Sequence, residues 1–146
     1  MEIVIFDGLA DLPHFNPDLD GDRPPKAVAT LREAIGKTQG LLISSPEYAR
    51  GVAGVLKNAL DWLVSSTEFP GKAVAVINAS QRAIHADAAL RLTLTTMSAN
   101  LVEDASIMLP LLGRNLDATG IAADADLASP LALALHNLGR AIIQAG

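Results

Sequence analysis

Apolar residues recur along this chain with two different periods, and the alternation of the periods predicts a layered α/β fold. Four short uninterrupted apolar runs, at residues 3–6, 41–43, 74–77 and 107–109, read as buried strands. Helical spacing fills the intervals. Val28, Leu31 and Ile35 follow a Pro24-Pro25 start. Val52, Val55, Leu56, Ala59, Leu60 and Leu63 form a wide apolar stripe, and Leu90, Leu94, Met97 and Leu101 form another. A last helix is expected to open with Ser129 as N-cap and Pro130 at its first position, lining one face with Leu131, Leu135, Leu138 and Ile142. The order βαβαβαβα predicts a parallel sheet with right-handed crossovers. Residues 7–23 and 112–126 read as loops, because prolines, glycines and aspartates interrupt any period there.

Composition sharpens this picture. Half of the 146 residues are apolar and 18% are charged, which suits a sheet covered on both faces within one domain spanning 1–146. The net charge is −5 and no basic patch is visible, so nucleic acid and anionic membranes are poor partners. No cysteine is present, which rules out disulfides and thiolate chemistry. No run reaches membrane-spanning length, and Glu2 and Asp7 bracket the first apolar run too closely for a signal peptide, so the expected address is the cytoplasm. His14, His85 and His136 lack ligand spacing, and no metal site is expected. Neither a G-x-S-x-G elbow nor a G-x-G-x-x-G or P-loop pattern occurs. A phosphoacceptor receiver domain is disfavoured, since Asp7 has no acidic partner and the central strand ends in serines.

The segment with the most chemistry is 41–62. Ser45-Pro46 ends a strand, because the residue before proline is pushed to extended geometry and proline lacks the ladder donor. In open α/β sheets ligands sit at this carboxyl end. Gly51 and Gly54 allow close approach, Tyr48 offers a flat body with a polar tip, and Lys57 and Asp61 stand one helical turn apart. The plain alternative is that 52–63 is a core helix with Trp62 as packing or a subunit contact.

The spelling Ser45-Pro46-Glu47-Tyr48, then Gly54-Val55-Leu56-Lys57-Asn58-Ala59-Leu60-Asp61-Trp62, resembles the S/T-P-E-Y-N-x-S-x-P-G-x-L-K-N-A-L-D-W signature of the NADPH-dependent FMN reductase family. Three positions depart: Ala49 replaces the family's Asn, Gly51 its Ser and Ala53 its Pro. Residues 69–80, Phe-Pro-Gly-Lys-Ala-Val-Ala-Val-Ile-Asn-Ala-Ser, are similar to the family's E-F-x-G-K-P-V-A-L-V-S-A-S. The family continues with a glycine-rich turn at the flavin's pyrimidine edge; here Gln81-Arg82-Ala83-Ile84-His85 contains no glycine. Asn78, Ser80 and Arg82 remain as hydrogen-bonding groups. For Ser80 the expected role is the N-cap of the next helix.

The resemblance implies a flavodoxin-like α/β sandwich with FMN and NADPH as cofactors. The implied reaction is hydride transfer to FMN and on to a quinone, flavin or similar small-molecule acceptor. It places Pro46, Glu47, Tyr48 and Ala49 on one side of the flavin and Asn78 and Ser80 on the other. No catalytic side chain and no metal are implied, because the flavin performs the electron chemistry. It also implies a homodimer or homotetramer built in part by helix 54–62. The resemblance begins one βα unit late: residues 6–20 look like the family's second strand and its loop. No counterpart of the phosphate loop G-S-x-R-x-x-S appears, and the loop after residues 3–6 carries Asp7 and Asp11 instead. A short start, a natural remnant pairing 3–6 directly with 41–43, and a sheet completed by a partner chain all remain open. So does a second function, a non-catalytic flavodoxin-like module that binds no flavin.

Overall fold

The computed structural model describes residues 1–145. A parallel sheet lies between helices. β4 (Ala73–Asn78) is its central strand, and all six of its residues are buried. β1 (Gly40–Ser44) pairs parallel to it on one side, with Leu41 opposite Val74 and Ile43 opposite Val76. On the other side β4 pairs with two short parallel strands in succession, β5 (Asn100–Leu101) and β6 (Ile107–Met108). The Ser106 hydroxyl fills the break between them. It accepts from the Val76 N–H at 3.1 Å and donates to the Val102 carbonyl at 2.9 Å. A central-strand donor that would otherwise be stranded is thereby satisfied.

Alternation along β4 sorts the core into two faces. Val74 and Val76 meet α1 (Lys26–Lys37), α2 (Gly54–Leu63) and α3 (Ile84–Thr96) through Val28, Leu31, Leu60, Trp62, Leu90 and Leu94. Ala73, Ala75 and Ile77 face α5 (Ala125–Ala145) through Leu138, Ala134 and Leu127. Small residues on that face let α5 come close. A Cβ added at Gly40 would stand 2.7 Å from Ile142 Cδ1.

Several expectations are corrected. Residues 3–6 form no strand: Ile5 is 87% exposed, and only Phe6 of the run packs partly against the core. Among the described residues, no strand occupies the outer edge of β1, so 3–6 does not pair with 41–43. An apolar run becomes a strand only where a neighbour takes its N–H and C=O groups, and periodicity does not supply the neighbour. α3 stops at Thr96, with Ser98 at φ +64°, so the Leu90–Leu94 stripe does not continue helically to Leu101, which lies in β5. α5 begins at Ala125, not at Ser129, and Pro130 lies inside it. The extra turn buries Leu127. The 112–126 loop contains a short helix, α4 (Ala118–Ala123), whose Asp117 side chain accepts from the Gly120 N–H at 2.8 Å.

The long 7–23 segment carries two 3₁₀ turns and is tied down by polar clamps. Arg32 donates to the Trp62 carbonyl at 2.6 Å, to Asp20 at 2.7 Å and to Ser65 at 2.9 Å. Hydrogen bonds from the Arg32 guanidinium and the Ser65 hydroxyl hold the Asp20 carboxyl below the usual carboxylate range.

Candidate functional site

Two segments far apart in sequence meet at the carboxyl end of the sheet. Ser44, Ser45, Pro46 and Glu47 follow β1, and Asn78, Ala79, Ser80, Arg82 and Ala83 follow β4. They line one cleft of about 450 Å³. Because β1 and β4 are hydrogen-bonded neighbours running in parallel, both strands deliver their ends to the same rim.

Each wall is braced locally. In the β4 loop, the Asn78 side chain accepts from the Ser80 N–H at 3.0 Å and donates to the Ala83 carbonyl at 3.2 Å. Ser80 Oγ accepts from the Arg82 N–H at 3.2 Å. Ser80 is therefore a loop brace and not the N-cap of α3. The cap position belongs to Ala83, which has no side-chain oxygen to offer.

The missing cap comes from the other wall. Glu47 Oε2 accepts from the N–H of His85 at 2.9 Å and of Ala86 at 2.8 Å, the second and third residues of α3. These are the donors that an N-cap side chain ordinarily satisfies, and a carboxylate there also meets the positive end of the helix dipole. Glu47 thus lines the cleft while its charged oxygen is committed to α3.

Beyond Glu47 the chain turns back as a hairpin of β2 (Glu47–Tyr48) and β3 (Gly51–Val52). Its two central residues, Ala49 and Arg50, have φ of +49° and +60°. That is the two-residue turn matching the strands' twist, built here without glycine or asparagine at its centre. Tyr48 is 67% exposed, and neither it nor Ala49 lines the cleft. Of the six residues expected beside the flavin, Pro46, Glu47, Asn78 and Ser80 are brought together, and Tyr48 and Ala49 stand on the hairpin. Ser44 and Ala83 join the lining without a signal in the sequence, since nothing in their spacing marks them.

Trp62 resolves in favour of internal packing. It is fully buried, donates from Nε1 to the Pro13 carbonyl at 2.8 Å and meets the Phe15 ring edge-on at a 5.0 Å centroid distance. The inference of a subunit contact from this aromatic loses its basis. Lys57 and Asp61 pair at 2.6 Å on the exposed side of α2.

The donor set suits a planar heterocycle bearing carbonyl and ring-nitrogen acceptors. Serine hydroxyls and a guanidinium stand beside the flat apolar surfaces of Pro46, Ala79 and Ala83. Arg82 is the lining's one cation. Among the described residues, no three His, Asp or Glu side chains converge to hold a metal ion, and no helix is long and apolar enough to cross a membrane.

Comparison with known proteins places the chain in a family. The chain is 34% identical to the NAD(P)H-dependent FMN reductase PA1204 of Pseudomonas aeruginosa over 125 residues, covering 82% of this chain and 67% of that protein. It is 42% identical over 82 residues to a 2-hydroxy-1,4-benzoquinone reductase of Burkholderia sp, covering 54% of this chain and 44% of the relative. The chain likewise spans less than half of the Escherichia coli K12 quinone reductase, with 36% identity over 87 residues, 58% of this chain and 46% of that one. Among solved structures, FerB, a flavoenzyme NAD(P)H:(acceptor) oxidoreductase from Paracoccus denitrificans, superposes with a TM-score of 0.76 at 28% identity. That match covers 94% of this chain and 79% of FerB, and FerB shares the α/β architecture with a parallel sheet. The sequence profile of the NADPH-dependent FMN reductases matches residues 1–111, and the chain belongs to that family.

Proposed function

We propose that this chain is a single flavodoxin-like domain, residues 1–146, and works as an NADPH-dependent FMN reductase on a quinone, a free flavin or a similar small-molecule acceptor. The observation that carries this reading is the cleft itself. In a member of this family, the two segments that resemble flavin-contacting loops meet at one rim. Bound FMN would supply the electron chemistry: a hydride taken from NADPH with a proton from water, then two electrons and two protons passed to the acceptor.

The protein's own part is placement. Pro46 gives a rigid apolar surface and ends β1, so the following backbone leaves the sheet edge. Ser45 and Ser80 offer hydroxyls, and Arg82 offers a positive charge that favours the electron-rich form of a ring beside it. Asn78 holds the second wall in shape through its bonds to Ser80 and Ala83. A cytoplasmic homodimer or homotetramer is part of the same reading and rests on the family resemblance. Membership of the reductase family favours the enzyme over a non-catalytic module.

The test is direct. Titrating the purified chain with FMN should quench flavin fluorescence and shift the visible spectrum. Adding NADPH and a benzoquinone should then oxidise NADPH in proportion to bound flavin. Unchanged flavin fluorescence at protein concentrations up to about 100 μM, an affinity near the weak end of specific binding, overturns the reading for this polypeptide.

A further inference from the structure

We infer that Glu47 is a positioning residue whose carboxylate clasps the first cleft wall to the start of α3 and thereby sets the spacing of the two walls. This deepens the flavin reading above and rests on it for its functional half.

α3 begins at Ile84 behind Ala83, which has no capping side chain. The N–H groups of His85 and Ala86 point out of the first turn and need acceptors. Glu47 supplies one oxygen to both, from 38 and 39 residues away in sequence. No other side chain bonds these two donors among the described residues.

The two ends of this bridge each continue into a cleft wall. Glu47 follows Pro46 directly and opens the hairpin, where it pairs with Val52. His85 and Ala86 follow Ala83, whose carbonyl is held by Asn78 and whose N–H bonds the Ser80 carbonyl at 3.1 Å. β1 and β4 fix the walls at their bases through the sheet. The Glu47 bridge fixes them again beyond the strand ends. A wall held at two points keeps its spacing when a ring enters, whereas a wall held only at its base adapts and pays ordering entropy on binding. The second loop also contains no glycine, so its own backbone has little freedom to compensate.

Both reach and acceptor count matter in such a clasp. Glu47→Gln keeps an oxygen at the same reach and loses the charge. Glu47→Asp keeps the charge and shortens the reach by one methylene. Glu47→Ala removes the bridge. Amide signals of residues 44–47 and 78–86 are followed by NMR in the three variants, and FMN affinity by fluorescence titration. The expected result is that Glu47→Ala and Glu47→Asp displace amide signals in both walls and weaken FMN binding at least tenfold, and that Glu47→Gln stays within threefold of the wild type. Arg32→Ala, a destabilising change on the far clamp, controls for general loss of stability and should leave FMN affinity within twofold. Amide signals in 78–83 that stay in place in Glu47→Ala and Glu47→Asp overturn the clasp. So does wild-type affinity in both variants. If the wild type itself binds no FMN while both walls still move, the flavin reading fails and the clasp stands. If either substitution prevents folding, the other decides.

Discussion

Trp62 Nε1 donates to the carbonyl of Pro13 at 2.8 Å, and Asn58, one turn earlier on α2, donates to the same oxygen at 2.9 Å. Asn58 Oδ1 also accepts from the Phe15 N–H at 2.8 Å. The N-A-L-D-W portion of the signature is therefore a two-sided grip. Ala59, Leu60 and Leu63 bury into the core, and Asn58 with Trp62 holds the 13–15 loop. Replacing Trp62 by Phe keeps a ring and removes one donor while Asn58 still satisfies the Pro13 oxygen, which is expected to cost about 0.5–1.5 kcal/mol beyond any loss of volume. Trp62→Ala should cost about 3–5 kcal/mol. Urea unfolding followed by far-UV circular dichroism checks both, since Trp62 is the chain's single tryptophan and its fluorescence disappears with it.

The break in the sheet opposite β4 makes Ser106 more than a turn residue. Ser106→Ala leaves the Val76 N–H without its acceptor inside a fully buried strand. The expected loss is about 1–3 kcal/mol, the range for a stranded buried donor. Hydrogen exchange at Val76 should accelerate more than at Leu42 in the outer part of the sheet. Equal acceleration at both residues contradicts a local origin.

Asp20 links stability to pH. Its folded pKa lies below its unfolded value, because Arg32 and Ser65 hydrogen-bond the charged form. The clamp's contribution is therefore complete above the unfolded value of about 3.9 and is lost as pH falls through the folded value. Thermal midpoints of the wild type should drop more steeply below about pH 4 than those of Asp20→Asn, which gives up the contribution at every pH. Parallel acid limbs in the two proteins contradict this assignment.

Ala49 occupies a left-handed conformation that a Cβ disfavours. Ala49→Gly should stabilise the protein by about 1 kcal/mol, and Ala49→Asn, which restores the family's residue, by less. Thermal melts compare the two. A destabilised Ala49→Gly contradicts the strain argument, since that residue's side chain lines no cleft.

Legibility of the fold tracked how local the deciding forces were. α1 and β4 fall where apolar spacing and proline punctuation place them. α2 instead begins at Gly54, with Val52 drawn into β3 and Val55 exposed. β1, read as buried, is a half-exposed edge strand, because no neighbour covers its outer side among the described residues. The stripe through Leu90 and Leu94 was readable, but its end was not, because Ser98 breaks the helix by adopting φ +64° without being glycine. The start of α5 is not legible in the sequence, because Pro130 carries the pattern of a first-turn residue yet lies inside the helix. Tertiary burial of Leu127 favours a helix beginning earlier.

Sequence alone determined the family, the apolar runs that become β1 and β4 and the helix that follows the Ser45-Pro46 turn, because each rests on near-neighbour patterning and covalent restriction. The tertiary structure makes β4 the central strand and leaves β1, which ends at Ser44, at the edge of the sheet. Only the tertiary structure decided the rest. Residues 3–6 have strand-forming side chains and no strand, since a ladder needs a second backbone beside the first. Trp62 turned inward to Pro13 and Phe15 rather than outward. Glu47 left Ser80 out of the capping of α3 because folding brings its carboxylate to two N–H donors that no nearby residue can reach. Such partners are chosen by distance in space, which a linear pattern does not record.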